Sequence, residues 1–165
     1  MPRSAPAFWQ HRGVPAWSLF PLSLLFAFLA GLRRRLFAVG LKRAERLPVP
    51  VVVVGNIAVG GSGKTPVALW LADELKRRGH KPGIVSRGYG GSVDSVAEVP
   101  AGGDPTRFGD EPVLMASASG CPVFVGRDRP AAGRALLAAH PDVDVLIADD
   151  GLQHYRLARD VEIVV

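Results

Sequence analysis

A run of four valines followed by a glycine-rich loop constrains the fold of this chain more than any other feature. Residues 51–54 are all Val, and residues 60–65 read Gly-Gly-Ser-Gly-Lys-Thr. Consecutive β-branched residues are typical of a strand covered on both faces, as in a parallel sheet. Glycines after such a strand allow backbone N–H groups to surround phosphate oxygens, and the helix that follows presents its positive end. The stretch therefore predicts a phosphate-binding loop between a buried strand and a helix.

The individual residues of this loop have predicted roles in binding a nucleotide. Lys64 would reach the β- and γ-phosphates, and the Thr65 hydroxyl would bind Mg²⁺. The loop backbone would contact phosphate oxygens at Gly60, Gly61, Ser62 and Gly63. The full P-loop pattern has Gly where this chain has Ala58, so a glycine-rich turn without a ligand is the alternative. The flanking strand and helix favour the phosphate site, because the mechanism needs both of them there.

Strands and helices alternate along the rest of the chain. Apolar spacing and terminal signals predict helices from Pro66 to Gly79, at 111–119 and at 130–140. Strands are predicted at 83–86, 123–125 and 143–148, and a last one begins at Val161. The segment 87–109, rich in Gly, Ser, Asp and Pro, is predicted to be a functional loop. This alternation predicts a doubly wound, mainly parallel α/β sheet of the P-loop NTPase type, with ligands at the carboxyl ends of the strands.

The net positive charge of the chain comes from its N-terminal arm, which we define as residues 1–47. The arm holds eight Arg and Lys residues against one acidic residue, whereas residues 48–165 hold twelve against fourteen. A nucleic-acid-binding protein would typically carry its basic residues across the folded domain, so no nucleic acid partner is expected. The single cysteine, Cys121, agrees with a reducing compartment. We therefore predict a basic arm at 1–47 and a P-loop domain at 48–165.

The arm also contains an apolar segment at 14–32, which three consecutive arginines follow. It is a poor signal peptide, because no small-residue cleavage site fits. Its length is near the roughly 20 residues that a spanning helix needs, although it contains two prolines and two serines. A helix lying in the membrane interface, with aromatic and basic residues at headgroup level, fits the composition best. Either membrane interpretation places the P-loop domain on the cytoplasmic side.

Two acidic motifs in the predicted domain are candidates for catalysis. The first follows the apolar strand at 143–148 and begins with Asp149 and Asp150. A carboxylate at the end of such a strand is the arrangement that holds Mg²⁺ beside the hydroxyl of a P-loop. Adjacent side chains of an extended chain point in opposite directions, so the two aspartates should have different roles. The alternative is a simple turn after the strand.

The second acidic motif is Gly109-Asp110-Glu111-Pro112. Asp110 is predicted to cap the helix that starts here, because short polar side chains accept hydrogen bonds from the first amides of a helix. Acidic residues are also favoured at this positive end. Capping is compatible with catalysis, since a cap at the mouth of a strand lies close to a bound substrate hydroxyl.

Four motifs in this order resemble those of the tetraacyldisaccharide 4′-kinases, the lipid A kinases of Gram-negative bacteria. They lie at residues 53–66, 86–91, 109–112 and 149–154, and the apolar arm also belongs to the pattern. The resemblance implies ATP- and Mg²⁺-dependent phosphorylation of the 4′-hydroxyl of a tetraacylated glucosamine disaccharide 1-phosphate. It implies a location at the cytoplasmic face of the bacterial inner membrane, in contact with its lipids. It also implies a second lobe, for which we expect no counterpart among these 165 residues.

The resemblance assigns roles to individual residues as well. It supports Asp110 as the base that accepts the proton of the sugar hydroxyl, while Lys64 neutralises the phosphates. Asp149 or Gln153 would complete the Mg²⁺ shell beside Thr65. Further candidates for contact with the substrate are Arg87, Tyr89, Glu111, Asp150 and His154.

Two other functions remain open at the level of sequence. One is a membrane-tethered P-loop NTPase switch that hydrolyses ATP or GTP without a lipid acceptor. A GTPase would carry an Asn-Lys-x-Asp segment that reads guanine, and this sequence has none. The other is a nucleotide-binding module that only offers a surface to a partner.

Overall fold

The computed structural model describes residues 14–41, 43–56 and 63–165. The chain divides into two compact units, Met1–Arg43 and Ala44–Val165. The boundary between the units, at residues 43 and 44, lies a few residues before the change in composition at residue 47.

The described part of the first unit contains one long helix, α1, over Val14–Ala38. Pro21 lies inside this helix, and the Ser23 hydroxyl donates a hydrogen bond of 2.7 Å to the Phe20 carbonyl. Large apolar side chains of α1 are exposed, and they include Trp17, Phe20, Leu22, Leu24, Leu25, Phe26, Phe28 and Leu29. Among the described residues, no helix combines the length and the apolar character that crossing a membrane requires.

The second unit is an α/β sandwich whose described part contains a six-stranded sheet. In chain order the strands are β1 (Val51–Gly55), β2 (Pro82–Ser86), β3 (Ala97–Glu98), β4 (Val123–Val125), β5 (Val145–Asp149) and β6 (Val161–Val164). The helices are α2 (Lys64–Arg77), α3 (Pro105–Phe108), α4 (Asp110–Ser119) and α5 (Arg129–Ala139). The strand order is β3-β4-β2-β5-β1-β6, with parallel pairing everywhere except between β3 and β4. The predicted mainly parallel α/β sheet is therefore confirmed.

The central strands are buried on both faces because neighbouring residues enter two different hydrophobic clusters. On β1, Val54 packs in a cluster with residues of α2 and α4, whereas Val51 and Val53 pack in the cluster that contains α5. On β2, Ile84 packs in the first of these clusters and Val85 packs in the second. Successive side chains of a strand point to opposite faces, so a run of valines satisfies both clusters at once.

The register of the parallel strands aligns their carboxyl ends. Val54 of β1 lies opposite Asp149 of β5, and Val85 of β2 lies opposite Ala148. The last residues of these three strands, Gly55, Ser86 and Asp149, therefore share one edge of the sheet. This edge is where ligands bind in open parallel sheets.

Most predicted elements differ from the structure by one or two residues at an end, and two differences bear on the site. The helix expected to begin at Pro66 begins at Lys64, so Lys64 and Thr65 are its first two residues. The segment 87–109 was predicted as a loop but contains the short elements β3 and α3. The strand β3 has two residues and the helix α3 has four, and β3 is defined by its antiparallel pairing with β4.

The predicted N-cap at Asp110 is wrong. Gly109 occupies the N-cap position of α4, and Asp110 is already in the first helical turn. Gly109 also ends α3, so the two helices are joined by this one residue. Its φ of +92° and the approach of the Tyr89 carbonyl, 2.5 Å from an added Cβ, exclude a side chain here.

We predict that Leu136→Ala in α5 destabilises the protein by about 2–5 kcal/mol, as is usual for deleting a buried leucine side chain. Leu136 is fully buried, and an added Cβ on Gly83 of β2 would lie 2.7 Å from its Cδ2 atom, so helix and sheet are in close contact. Urea unfolding measures the loss. The matched control is Leu114→Ala in α4, whose side chain is 53% exposed and should cost less than about 1 kcal/mol. Equal losses for the two variants would contradict the described core.

Candidate active site

Lys64 connects the start of α2 with the acidic end of β5. Its Nζ donates a 2.9 Å hydrogen bond to Oδ1 of Asn56 and lies 3.4 Å from Oδ1 of Asp150. The side chain is only 17% exposed, and Gly63 before it has the left-handed φ of +81° that lets the chain turn into the helix. The ammonium group is thus placed between β1 and β5, at the positive end of α2.

Asp149 is the buried carboxylate of the site. The residue is 1% exposed, and its Oδ2 accepts a 3.4 Å hydrogen bond from the Ser86 hydroxyl. Its Oδ1 has no hydrogen-bond partner among the described residues. The pKa of Asp149 is raised from 3.8 to about 6, mainly by burial and next by the carboxylates of Glu111 and Asp150, while Lys64 and Arg129 oppose the shift.

A divalent cation fits the chemistry of Asp149. A buried carboxylate with one unpartnered oxygen and further acids around it is stabilised by a nearby positive charge. Thr65, the second residue of α2, follows the lysine that lies at the same edge. Within the described ranges, no group of three or more His, Cys, Asp or Glu side chains could hold a metal ion. Mg²⁺ in phosphoryl-transfer sites needs only one or two protein oxygens, because phosphates and water supply the others.

Arg129 is a second buried charge at the same edge. It is the first residue of α5 and is 1% exposed, and its Nη1 donates a 2.7 Å hydrogen bond to the Gly126 carbonyl. Its Nε and Nη2 have no hydrogen-bond partner in the described part of the chain. Burial lowers the pKa of Arg129 to about 10, and the Asp149 carboxylate counteracts this effect. Arg129 therefore remains charged at neutral pH and compensates part of the acidic charge around Asp149.

The loop after β2 packs against the junction of α3 and α4. Gly88 and Gly90 have positive φ, and the Ser92 and Val93 amides donate to carbonyls at Thr106 and Arg107. This arrangement leaves Tyr89 83% exposed, beside the junction at which Asp110 and Glu111 begin α4. Arg87 is exposed at the start of the loop, and its charge contributes to the lowered pKa of Arg129.

The loop at 150–154 follows directly from Asp149. Asp150 has a left-handed φ of +51°, which is uncommon for a residue other than glycine. Its carboxylate is exposed and faces Lys64, whereas Asp149 is buried. Gln153 is exposed and His154 is half-buried.

The comparison with known proteins identifies the family. The sequence profile described as LpxK, tetraacyldisaccharide-1-P 4′-kinase, matches residues 15–165. The chain belongs to the tetraacyldisaccharide-1-P 4′-kinase family.

Named relatives and a solved structure agree with this assignment. The chain is 65% identical, over its whole length, to the tetraacyldisaccharide 4′-kinase of Aromatoleum aromaticum and 62% identical over 98% of its length to that of Azoarcus sp.. A crystal structure of Aquifex aeolicus LpxK in complex with ATP matches 89% of the chain with a TM-score of 0.81 and 38% identity. The chain covers 49%, 48% and 47% of these three proteins. It therefore spans about half the length of the relatives it matches.

The structure brings together several of the residues that the sequence proposes for a kinase of this family. The Lys64 ammonium contacts the Asp150 carboxylate. The charges of Lys64, Asp150 and Glu111 all affect the pKa of Asp149, so these groups lie near it. Thr65 follows Lys64 in α2, and Arg87 lies near Arg129. Other proposed residues, Asp110, Tyr89, Gln153 and His154, lie in the surrounding loops and helix start. The phosphate contacts expected at Gly60, Gly61 and Ser62, and the departure at Ala58, lie outside the described residues.

Sequence reasoning missed two residues of this site. The first is Arg129, which is buried, whereas Arg127, two residues earlier, is exposed and pairs with Asp94 at 3.6 Å. The sequence signal for Arg129 was its position at the start of the helix that follows β4. Asn56, which binds Lys64, follows β1 directly and belongs to the first motif.

We predict that Asp149→Asn stabilises the metal-free protein at pH 7 by about 1–3 kcal/mol, because the folded state no longer holds an unfavourable buried charge. The folded-state pKa of about 6 lies above the unfolded value of 3.8. The stability that the neutral acid contributes is therefore complete below about pH 3.8 and is lost as the pH rises through about 6. Urea unfolding at several pH values measures the difference between the two proteins, which should grow from pH 4 to pH 7. A constant difference over this range would contradict the described burial.

Proposed function

We propose that this chain supplies the nucleotide-binding part of a kinase that transfers the γ-phosphate of ATP to the 4′-hydroxyl of a tetraacylated glucosamine disaccharide 1-phosphate, a lipid A precursor. The main support for this proposal is that Lys64, Asp149 and Asp150 lie close together at the carboxyl edge of the sheet. The names of the relatives, and the ATP complex of the Aquifex aeolicus protein, support the reaction and the nucleotide. The kinase names also favour this reaction over an NTPase switch without an acceptor.

The chain's own residues would divide the work of phosphoryl transfer. Lys64 would exchange its contacts with Asn56 and Asp150 for the β- and γ-phosphates, whose charge it neutralises. Mg²⁺, when bound, would neutralise further phosphate charge; Thr65 and Asp149 would hold it, with Gln153 as the other candidate. Positioning and charge neutralisation supply most of the catalysis in such reactions.

Asp110 is the residue that we assign to proton transfer. As the 4′-oxygen forms its bond to the γ-phosphorus, the bond from that phosphorus to the β-γ bridging oxygen breaks, and the Asp110 carboxylate would accept the hydroxyl proton. Asp110 is exposed in the first turn of α4, beside the loop that carries Tyr89. Arg87, Tyr89, Glu111, Asp150 and His154 remain our candidates for contacting the acceptor sugar or its phosphate.

The N-terminal arm would bring the enzyme to its lipid substrate. The exposed apolar side chains of α1 and the exposed arginines at 33–35 would place this helix among the headgroups of the inner membrane, at its cytoplasmic face. Anionic lipids would attract the arginines, while the apolar side chains enter the acyl boundary.

We predict that Lys64→Ala lowers the rate of lipid phosphorylation by at least about 10²-fold, because the lost charge acts mainly on the transition state. The rate is measured with ATP and the lipid acceptor in a kinase-competent form of the protein. Circular dichroism verifies that the variant is folded. Lys81→Ala is the matched control, since Lys81 is exposed and its ammonium group pairs with the exposed Asp142 at 3.3 Å, near the opposite ends of the strands. A rate within a few-fold of wild type for Lys64→Ala would contradict the proposed function.

We also predict that removing residues 1–45 reduces cosedimentation with anionic vesicles, because both the apolar and the basic groups of the arm are lost. Binding of the intact chain should weaken as salt is raised, since screening reduces attraction to the headgroups. Replacing Arg77 and Arg78 of the second unit by Gln is the control for unspecific basic charge and should leave vesicle binding unchanged. Unchanged binding after removal of the arm would refute its role.

A further inference from the structure

We propose that Arg159 is a positioning residue that holds the backbone of the loop at 150–154 in place, and with it the side chains of Asp150, Gln153 and His154. This inference rests on the proposed function, because the loop matters for catalysis only if these side chains serve the kinase site. Arg159 itself lies outside the four motifs that indicated the family.

The guanidinium group of Arg159 binds three carbonyl groups of this one loop. Its Nη1 donates to the carbonyls of Gly151 at 3.3 Å and Leu152 at 3.1 Å, and its Nη2 donates to that of His154 at 2.9 Å. The side chain is only 13% exposed. A planar guanidinium carries five donors in a rigid arrangement, so it can serve several acceptors in one geometry.

Arg159 is in turn anchored to the sheet. Its Nη1 lies 3.0 Å from Oε1 of Glu162 on β6, and Glu162 lies opposite Val53 of β1 in the parallel register. The guanidinium carbon also lies 5.6 Å from the centre of the Tyr155 ring. The loop after β5 is therefore tied to the strand on the other side of β1, across the edge where Lys64 lies.

The loop needs such support because its geometry is uncommon. It belongs to neither a strand nor a helix, and Asp150 adopts a left-handed conformation that costs of the order of 1 kcal/mol or more for a non-glycine residue. Leu152 packs directly on Gly55, where an added Cβ would lie 2.6 Å from its Cγ. Within the loop, the His154 amide donates to the Gly151 carbonyl at 2.9 Å. Arg159 adds three bonds to this short turn.

The consequence for the site concerns Asp150 first. Its carboxylate lies 3.4 Å from the Lys64 ammonium, and its backbone is continuous with the segment that Arg159 holds. Release of that segment would let Asp150 and Gln153 move relative to Lys64, which is held at the start of α2. We therefore expect Arg159 to affect the rate of the chemical step more than the apparent affinity for ATP.

Amide hydrogen exchange of the chain tests the positioning role without relying on activity. Arg159→Lys keeps the charge but cannot reproduce the planar set of bonds, and Arg159→Met removes both. Exchange at His154 and Leu157, whose amides are hydrogen-bonded in the turn, should rise about tenfold in both variants, because local opening would break fewer bonds. Exchange at Val53 and Ile147 in the core should stay within about twofold of wild type. Arg156→Lys, an exposed arginine in the same segment that pairs with Asp128, is the matched control and should change neither.

Kinetics of the kinase-competent protein give the second readout. In Arg159→Lys, kcat should fall about tenfold, while the KM for ATP changes less than about threefold. The inference is overturned if exchange in the turn is unchanged in Arg159→Met, if core and turn amides rise together, or if Arg156→Lys has the same effect. It is also overturned if Arg159→Lys matches wild type in both measurements. If exchange rises in the turn but neither kcat nor KM responds, Arg159 is merely structural and the positioning role is refuted. A failure of the proposed function itself would be detected separately, because Lys64→Ala would then keep full activity.

Discussion

The buried carboxylate of Asp149 is the group on which the rest of the site depends. The parallel register of β1, β5 and β2 places it at the shared carboxyl edge, opposite Val54 and beside the Ser86 hydroxyl. Burial raises its pKa to about 6, so at neutral pH the folded protein holds a carboxylate that is mostly ionised although it is buried. The positive charges of Lys64 and Arg129 oppose this shift, and a bound cation would do so more strongly. The edge is thus prepared for a cation and for phosphates before either is bound.

Close contacts of glycines give the site its second constraint. Gly109 accommodates the Tyr89 carbonyl, and Gly55 accommodates Leu152, in spaces where a Cβ atom would overlap its neighbours. These contacts join the loop after β2 to the start of α4, and the loop after β5 to the end of β1. The motifs that are separate in sequence therefore meet through backbone packing. Arg159 adds polar bonds to the same arrangement from the side of β6.

The sequence indicated the sheet well because its signals are local. The valine run predicts a strand buried on both faces, and Val51 and Val54 indeed pack in different clusters. The position of the acidic end of β5 near Lys64 also follows from strand direction alone. The position of Arg129 at the start of the helix after β4 was a sequence signal, but its burial could not be predicted in the same way, since that depends on how α5 packs. The error at Asp110 has a different cause: the adjacent α3 makes Gly109 the boundary, and the start signals of α3, Asp104 and Pro105, lie in a stretch whose Gly and Pro content favours a loop.

A crystal structure of the chain with a non-hydrolysable ATP analogue and Mn²⁺ in place of Mg²⁺ would show directly whether this edge of the sheet binds the nucleotide and the metal. Anomalous scattering locates the Mn²⁺ ion without reference to the assigned roles. We expect a Mn²⁺ peak between the phosphates and the edge of the sheet, bound directly or through one water by Thr65 and Asp149, with the Lys64 ammonium on a phosphate oxygen. A nucleotide bound away from this edge, or a metal peak that neither Thr65 nor Asp149 contacts, would contradict this expectation.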